Sequence, residues 1–301
     1  MKTDRIKTLA LALVVVAGMM CVAVLVRQID TLRPPDDPNA ADEGLYLNVK
    51  TARRISLGFN GIAADWYWMR SLQYVGRKII NHNDVPIDNL GLLNLKLLAP
   101  LLDTATTLDP EFLDPYEYAA IVLPAIDVDQ AIGIAQKGIE ANPNAWRLYH
   151  HLGYIYWQQK NYAAASDIYG RGAQIPGAPP WMEAMKAKML AEGGSRETAR
   201  EIYTRMYEQS TDDKVKDMAR KRLLQLDSLD QRDSLRKLFA AFQARAGRCP
   251  TSWKELDPVL RASRVPLDAS GAPLDPSGVP YVLRVGACEV DLDPKSEIPM
   301  K

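Results

Sequence analysis

Histidine and cysteine are scarce in this chain of 301 residues, three of each, and their placement excludes more than their number does. His150 and His151 are adjacent, so on a helix they diverge by about 100° and do not form one ligand pair. No His-x-x-x-His, Cys-x-x-Cys, Gly-x-Ser-x-Gly or phosphate-loop pattern occurs, which removes the commonest metal, thiol-redox, hydrolase and nucleotide signatures. Charge of one sign is also lacking: 37 Lys and Arg face 37 Asp and Glu. A balanced chain offers no field to attract nucleic acid. The acidic pairs Asp36-Asp37 and Asp212-Asp213 read as solvated turns. Asp268, Asp275, Asp291 and Asp293 have the oxygen chemistry of a calcium site, but their turn-rich setting favours Asx turns and surface acids. The expectation is a protein that is not an enzyme and carries no metal or cofactor.

Long apolar runs are absent but for one. Leu9–Val26 consists entirely of apolar side chains and Gly, flanked by Lys2, Arg5 and Lys7 before it and Arg27 after it. As a helix it would be about 27 Å long, close to the hydrocarbon thickness of a bilayer. A cleaved signal peptide is the competing reading, but its apolar region is shorter and is followed by a small-x-small site, and no Ala-x-Ala lies between this run and Arg27. The run is therefore expected to be an uncleaved anchor at 9–26. With three cations on the short N-terminal tail, 1–8, the tail is expected in the cytoplasm and the body in the periplasm or its equivalent. Residues 27–44, rich in Pro, Asp and Ala, form the expected linker. Cys21 falls inside the apolar run, whereas Cys249 and Cys288 both lie in the C-terminal segment after Gly247. In an oxidising compartment those two are expected to pair.

What the chain has in abundance is a period. Ala131, Ala165 and Ala199 are equally spaced, and Ala119, Gly153 and Ala187 keep the same interval at an earlier phase. Pro110, Pro143 and Pro176 hold nearly the same beat. An interval of about 34 residues, with small residues at two fixed phases and a proline at the unit boundary, describes stacked helix-turn-helix units. The units are expected at 111–123 with 127–141, 145–158 with 162–174, and 179–192 with 196–209. Two helices then follow, near 213–226 and 230–246. Before the regular units, two helices are expected between 45 and 80, broken near Gly58-Phe59-Asn60-Gly61, and another over 91–108. The helical repeat domain thus spans 45–246. Residues 247–301 change character: a short helix in CPTSWKELDPVL and strands at Tyr281–Val285 and Cys288–Leu292 make a small α+β module.

The second unit resembles a tetratricopeptide repeat. Tyr149, Leu152, Gly153, Tyr156, Ala165 and Tyr169 stand at that family's large-Leu-Gly-aromatic-Ala-aromatic positions, with Lys160-Asn161-Tyr162 at the turn. Gly172 stands where the family usually has Ala, and Pro115 and Glu183 occupy the first large position of the flanking units. The resemblance covers about residues 91–210 and implies a mostly α solenoid that binds a protein or peptide in a groove lined by the first helix of each unit. Ala119, Ala131, Tyr149, Leu152, Gly153, Tyr156, Ala165, Tyr169, Ala187, Ala199 and Tyr203 are then the packing set. The tail is similar, more distantly, to the C-terminal region of type II secretion pseudopilins, through Pro250, Trp253, Leu256 and Asp275-Pro276-Ser277-Gly278-Val279-Pro280-Tyr281. The N-terminus lacks the pseudopilin cleavage signature.

On helix 145–158 the residues left over from packing are Arg147, His150, Tyr154 and Trp157, at spacings that keep them on one face. Tyr116 in the preceding unit, and Trp181 and Lys188 in the next, take comparable phases. Aromatic area and an Arg that can grip a carboxylate suit a peptide groove; burial by neighbouring helices is the alternative. The dense aromatic segment ADWYWMR is expected to split Trp66, Tyr67 and Trp68 between packing against the neighbouring helix and capping the start of the stack. The functional expectation is an anchored extracytoplasmic scaffold, an accessory factor of an envelope machine for secretion, pilus assembly or export. An envelope polysaccharide or cell-wall enzyme subunit and a self-assembling structural protein are its rivals.

Overall fold

The structure, a computed structural model, describes residues 15–29, 49–81 and 90–299. It divides into two compact units, Met1–Asp109 and Pro110–Lys301.

In the first unit, helix α1 covers 15–29 with its apolar side chains exposed. Among the described residues no helix is long and apolar enough to cross a membrane. The expected anchor, 9–26, begins outside the described residues, as does most of the linker. Helix α1 nevertheless continues through Arg27 to Ile29, so the first linker residues are helical. Helix α2, Val49–Ile55, ends where Leu57 and Gly58 adopt left-handed backbone at φ 49° and 94°, a conformation that cannot propagate a right-handed helix. Helix α3, Asn60–Asn81, then buries Ala64, Tyr67, Ser71, Tyr74, Val75 and Lys78, a stripe at helical spacing. That stripe packs on α4, Leu98–Leu108, through Leu98, Leu101, Leu102 and Ala105. The buried hydroxyls of Thr104 and Thr106 donate to the carbonyls of Pro100 and Leu102 at 2.8 and 3.0 Å, so neither is stranded there. The helix expected over 91–108 is shorter: a 3₁₀ turn at Leu90–Leu93 precedes it, and Asn94 at φ 51° interrupts the chain.

The second unit begins with three helical hairpins. They pair α5, Leu113–Val122, with α6, Val128–Ala141; α7, Trp146–Gln158, with α8, Tyr162–Ala173; and α9, Trp181–Glu192, with α10, Arg196–Gln209. Each helix packs on the next in sequence. Ala119, Gly153 and Ala187, and Ala131, Ala165 and Ala199, are all buried. The reason is proximity: a Cβ on Gly153 would sit 2.8 Å from the Tyr169 ring. The period extends to the backbone of the turns. Lys160 and Gly194 are both left-handed, at φ 56° and 90°. Asn161 N–H donates to Tyr156 O at 2.9 Å, and Ser195 N–H to Leu190 O at 2.7 Å, the same Schellman closure in both units. Of the packing set, Tyr149, Leu152, Tyr169 and Tyr203 are buried, and Tyr156 is only half-buried, its hydroxyl accepting from Gln136 at 3.2 Å.

The two helices expected after 213 are one. Helix α11 runs unbroken from Asp213 to Ala246, capped by Asp212 at its start and by Gly247 at φ 72° at its end. No Gly or Pro lies between. The polar run near Asp227 and Asp230 is used sideways: Arg200 reaches both, at 3.0 and 2.8 Å, and Arg196 reaches Asp230 and Asp233 at 2.8 and 2.6 Å. The first half of α11 closes the stack, with Ala219 and Leu226 in one core with Ala187, Ala199, Ile202 and Tyr203. Its second half supplies Leu235 and Phe239 to a different core, with Trp253, Leu256, Leu260, Tyr281, Val290 and Leu292.

That second core belongs to the tail. A 3₁₀ turn, Trp253–Glu255, and helix α12, Asp257–Ala262, precede a two-stranded antiparallel sheet of β1, Val282–Arg284, and β2, Glu289–Asp291, in register Leu283 to Val290. Two similar loops in tandem, LDASGAP and LDPSGVP, are each closed by a bridge, Leu267 to Pro273 and Leu274 to Pro280. In each, the Asp Oδ1 accepts two backbone N–H groups: Ser270 and Ala272 on Asp268, Ser277 and Val279 on Asp275. Among the described residues no cluster of three or more His, Cys, Asp or Glu could hold a metal ion; Asp268 and Asp275 are Asx turns. Cys249 and Cys288 are disulfide-bonded, Cα atoms 5.6 Å apart.

Candidate functional site

Helix α7 organises the candidate groove because its two faces are so different. Leu148, Tyr149, Leu152, Gly153 and Ile155 turn inward, leaving His150, His151, Tyr154 and Trp157 less covered. Tyr154 is 45% exposed, and Ile121 on α5 is 62% exposed. Between them lies a pocket of roughly 290 Å³, walled by Ala120, Ile121 and Pro124 on one side and by His150, His151, Tyr154 and Gln158 on the other. Its walls are therefore the first helices of two successive hairpins.

The residues assigned to the groove from sequence separate into three groups. Tyr116 does not line it: the side chain is fully buried, with its ring in the space left by Gly138, where a Cβ would come within 2.8 Å. Gly138 and Gly172 share a phase of the period, a third small position: a Cβ on Gly172 would meet the Met182 side chain and come within 2.7 Å of Tyr149 Cβ. Trp157 and Lys188 form the second group, committed within the chain. The indole N–H donates to Glu192 at 2.9 Å, the Lys188 ammonium stands 4.1 Å from the indole centroid, and it also faces Glu192 at 3.7 Å. This cluster fastens α7 to α9, and Trp157 is thereby a structural residue more than an open contact.

The third group is what remains available: Arg147, His150, Tyr154 and Trp181, joined by His151, Trp146 and Ile121. Trp181 stacks edge-on against Trp146 at 5.8 Å and against His150 at 4.9 Å between centroids. Arg147 lies over the Trp146 ring at 5.6 Å. The histidines, which diverge on paper, both reach the pocket, with ring centroids 5.2 Å apart. Burial lowers the pKa of both; the neighbouring His151 adds to the effect on His150, and Arg147 adds to that on His151. Both rings are therefore neutral at neutral pH. Among the described residues, the buried His150 Nδ1 finds no hydrogen-bond partner, and nor does the hydroxyl of Tyr169, whose ring is 6.1 Å from His150. An unpaired buried polar atom costs about 1–3 kcal/mol.

In the first unit, the aromatic segment is only partly packed. Tyr67 is buried and Trp68 half-buried, but Trp66 points outward, with Arg70 over its ring at 5.9 Å.

No family model and no curated protein matches this chain. Among solved structures, it is similar to YrrB, a TPR protein with an unusual peptide-binding site, at 20% identity and a TM-score of 0.34, over 48% of this chain and 75% of that one. The helical-hairpin assignment stands on the period, the buried small residues and the repeated turn closures of the chain itself.

Proposed function

We propose that this protein is a membrane-anchored scaffold that captures a segment of a protein partner in the groove between α5 and α7, on the extracytoplasmic side. The observation that carries this reading is the pocket itself: exposed apolar side chains, Ile121 and Tyr154, beside a buried imidazole nitrogen without a partner among the described residues. An extended peptide supplies side chains for the apolar wall and backbone N–H and C=O groups for the imidazole of His151 and the amide of Gln158, which also line the pocket. Arg147, exposed one helical turn before His151 and within electrostatic reach of Glu117 on α5, suits an acidic residue or a terminal carboxylate. The apolar run at 9–26 supports the anchor, and the Cys249–Cys288 bridge supports an oxidising compartment. The tail's similarity to pseudopilins favours a secretion or pilus machine as the setting.

The test is photo-crosslinking in the native membrane, with the reactive residue at Tyr154, at Ile121, and at the exposed Tyr207 of α10 as control. One dominant protein adduct shared by the first two positions and missing from the third is the expected result. No adduct at either, or adducts only to the chain itself, refutes the groove.

A further inference from the structure

Helix α3 carries two apolar stripes where a surface helix needs one. The first, Ala64, Tyr67, Ser71, Tyr74 and Val75, is spent on α4. The second is Ile62, Trp66, Met69 and Ile80, each between 47% and 70% exposed. At about 100° per residue these four fall within an arc of about 60°, which they share with the exposed Gln73, centred about 170° from the packed stripe. Phe59 and Leu57, just ahead of the helix, are exposed as well. Large apolar side chains concentrated on one outward face mark a contact surface.

Charge identifies what the face meets. The whole chain is balanced, yet residues 49–81 hold six cations, Lys50, Arg53, Arg54, Arg70, Arg77 and Lys78, against Asp65 alone. Arg53 and Arg54 are exposed just before the apolar face, and Arg77 is exposed beside it. A helix with Trp, Met and Ile on one side, Arg70 and Arg77 along one margin and Asp65 along the other, preceded by Arg53 and Arg54 on α2, has a composition that suits the headgroup region of an anionic bilayer. The apolar run ends at Val26 and α2 begins at Val49, with only a short linker between, so an anchored chain delivers α2 and α3 to the surface. We infer that the outer face of α3 lies in the bilayer interface, with Trp66 and Met69 among the acyl-chain ends and Arg53, Arg54 and Arg77 against lipid phosphates. This rests on the anchoring reading for delivery, and on the face itself for affinity.

The experiment uses the full chain with Cys21→Ser, which leaves no free thiol, and an environment-sensitive fluorophore on Met69→Cys, with Ile62→Cys as a second site and Glu208→Cys as control. The protein is placed in nanodiscs of one part phosphatidylglycerol to two parts phosphatidylcholine, and in phosphatidylcholine alone. Emission from positions 62 and 69 is expected to shift to the blue and to be quenched by shallow doxyl lipids, with position 208 remaining open to aqueous iodide. Replacing Arg53 and Arg54 by Gln should lower the ratio of inserted to free helix by about 30-fold at low salt. Iodide quenching at 62 and 69 equal to that at 208 overturns the inference, as does a blue shift without lipid quenching, which means that protein covers the face. Co-elution with the disc reads the anchor separately: a chain that co-elutes with an aqueous label keeps the anchor and loses this inference. Disc association that disappears in the Arg53→Gln, Arg54→Gln variant does the reverse, and no association in any variant refutes both.

Discussion

Gly153→Ala and Gly133→Ala are the same chemical change in the interior of two neighbouring helices, and the structure assigns them opposite signs. At Gly133, on the exposed side of α6, an added methyl meets nothing within 4 Å. Helix propensity then acts alone, stabilising by about 0.5–1 kcal/mol. At Gly153 the same methyl lies 2.8, 2.9 and 3.0 Å from three carbons of the Tyr169 ring. Tyr169 is itself fully buried, so the ring cannot step aside without moving α7 from α8. Overpacking of that kind costs about 1–3 kcal/mol, which exceeds the propensity gain and leaves a net loss of about 1–2 kcal/mol. In a unit of this size each kcal/mol moves the midpoint by about 2–4 °C. Far-ultraviolet circular dichroism during heating should therefore place the Gly153→Ala midpoint several degrees below the parent and that of Gly133→Ala slightly above it. Gly153→Ala at or above the parent midpoint would show that the α7–α8 contact is looser than the structure has it, and that the small residues of the period are not steric requirements.

Three further outcomes can be measured alongside it. Lys160 sits at φ 56° where its counterpart one period later is Gly194; Lys160→Gly should stabilise by up to about 1 kcal/mol in urea unfolding, because it relieves left-handed strain, and a loss would mean that the side chain carries a contact of its own. Reducing the Cys249–Cys288 bridge, whose sequence separation is 39, should lower stability by about 4 kcal/mol, and a thiol count on denatured, unreduced protein should find Cys21 alone. His150 and His151 have pKa values lowered from 6.5 by burial; below that value the unfolded chain binds protons first, so stability should fall as pH drops from about 6.5 through the depressed pKa values. The double variant His150→Gln, His151→Gln should flatten that slope, and an unchanged slope would place the titrating groups elsewhere.

The helical hairpins were legible because the property that reveals them is local. Ala131, Ala165 and Ala199 recur at one interval, and the small-residue requirement they express is met within one pair of helices, so the hairpin boundaries observed at α7, α8 and α10 lie close to those expected. Faces were legible too: Leu152 and Gly153 point inward and Tyr154 outward, as helical spacing requires. Less accessible was what covers an outward face. Tyr116 has the phase of a groove residue, but Gly138 leaves room for its ring and draws it inside. Trp157 has that phase as well, and is held by Glu192 and Lys188, both on α9 in the next hairpin. Within the aromatic segment of α3, likewise, only the packing shows that Tyr67 turns inward and Trp66 outward.

Sequence by itself determined the period, the helix pairs and the single long apolar run, and it made Cys249 and Cys288 candidates for a bridge that the structure then forms. Tertiary structure alone decided that α11 is one helix serving two cores, Leu226 in the stack and Phe239 in the tail, and that the pocket opens between α5 and α7. The physical reason is the range of the forces involved. Periodicity records which side of a helix must leave water, a constraint each segment carries in its own residues. Whether a given outward side chain then meets solvent, a glycine's empty space or a distant carboxylate depends on which helix arrives beside it, and only the assembled packing contains that.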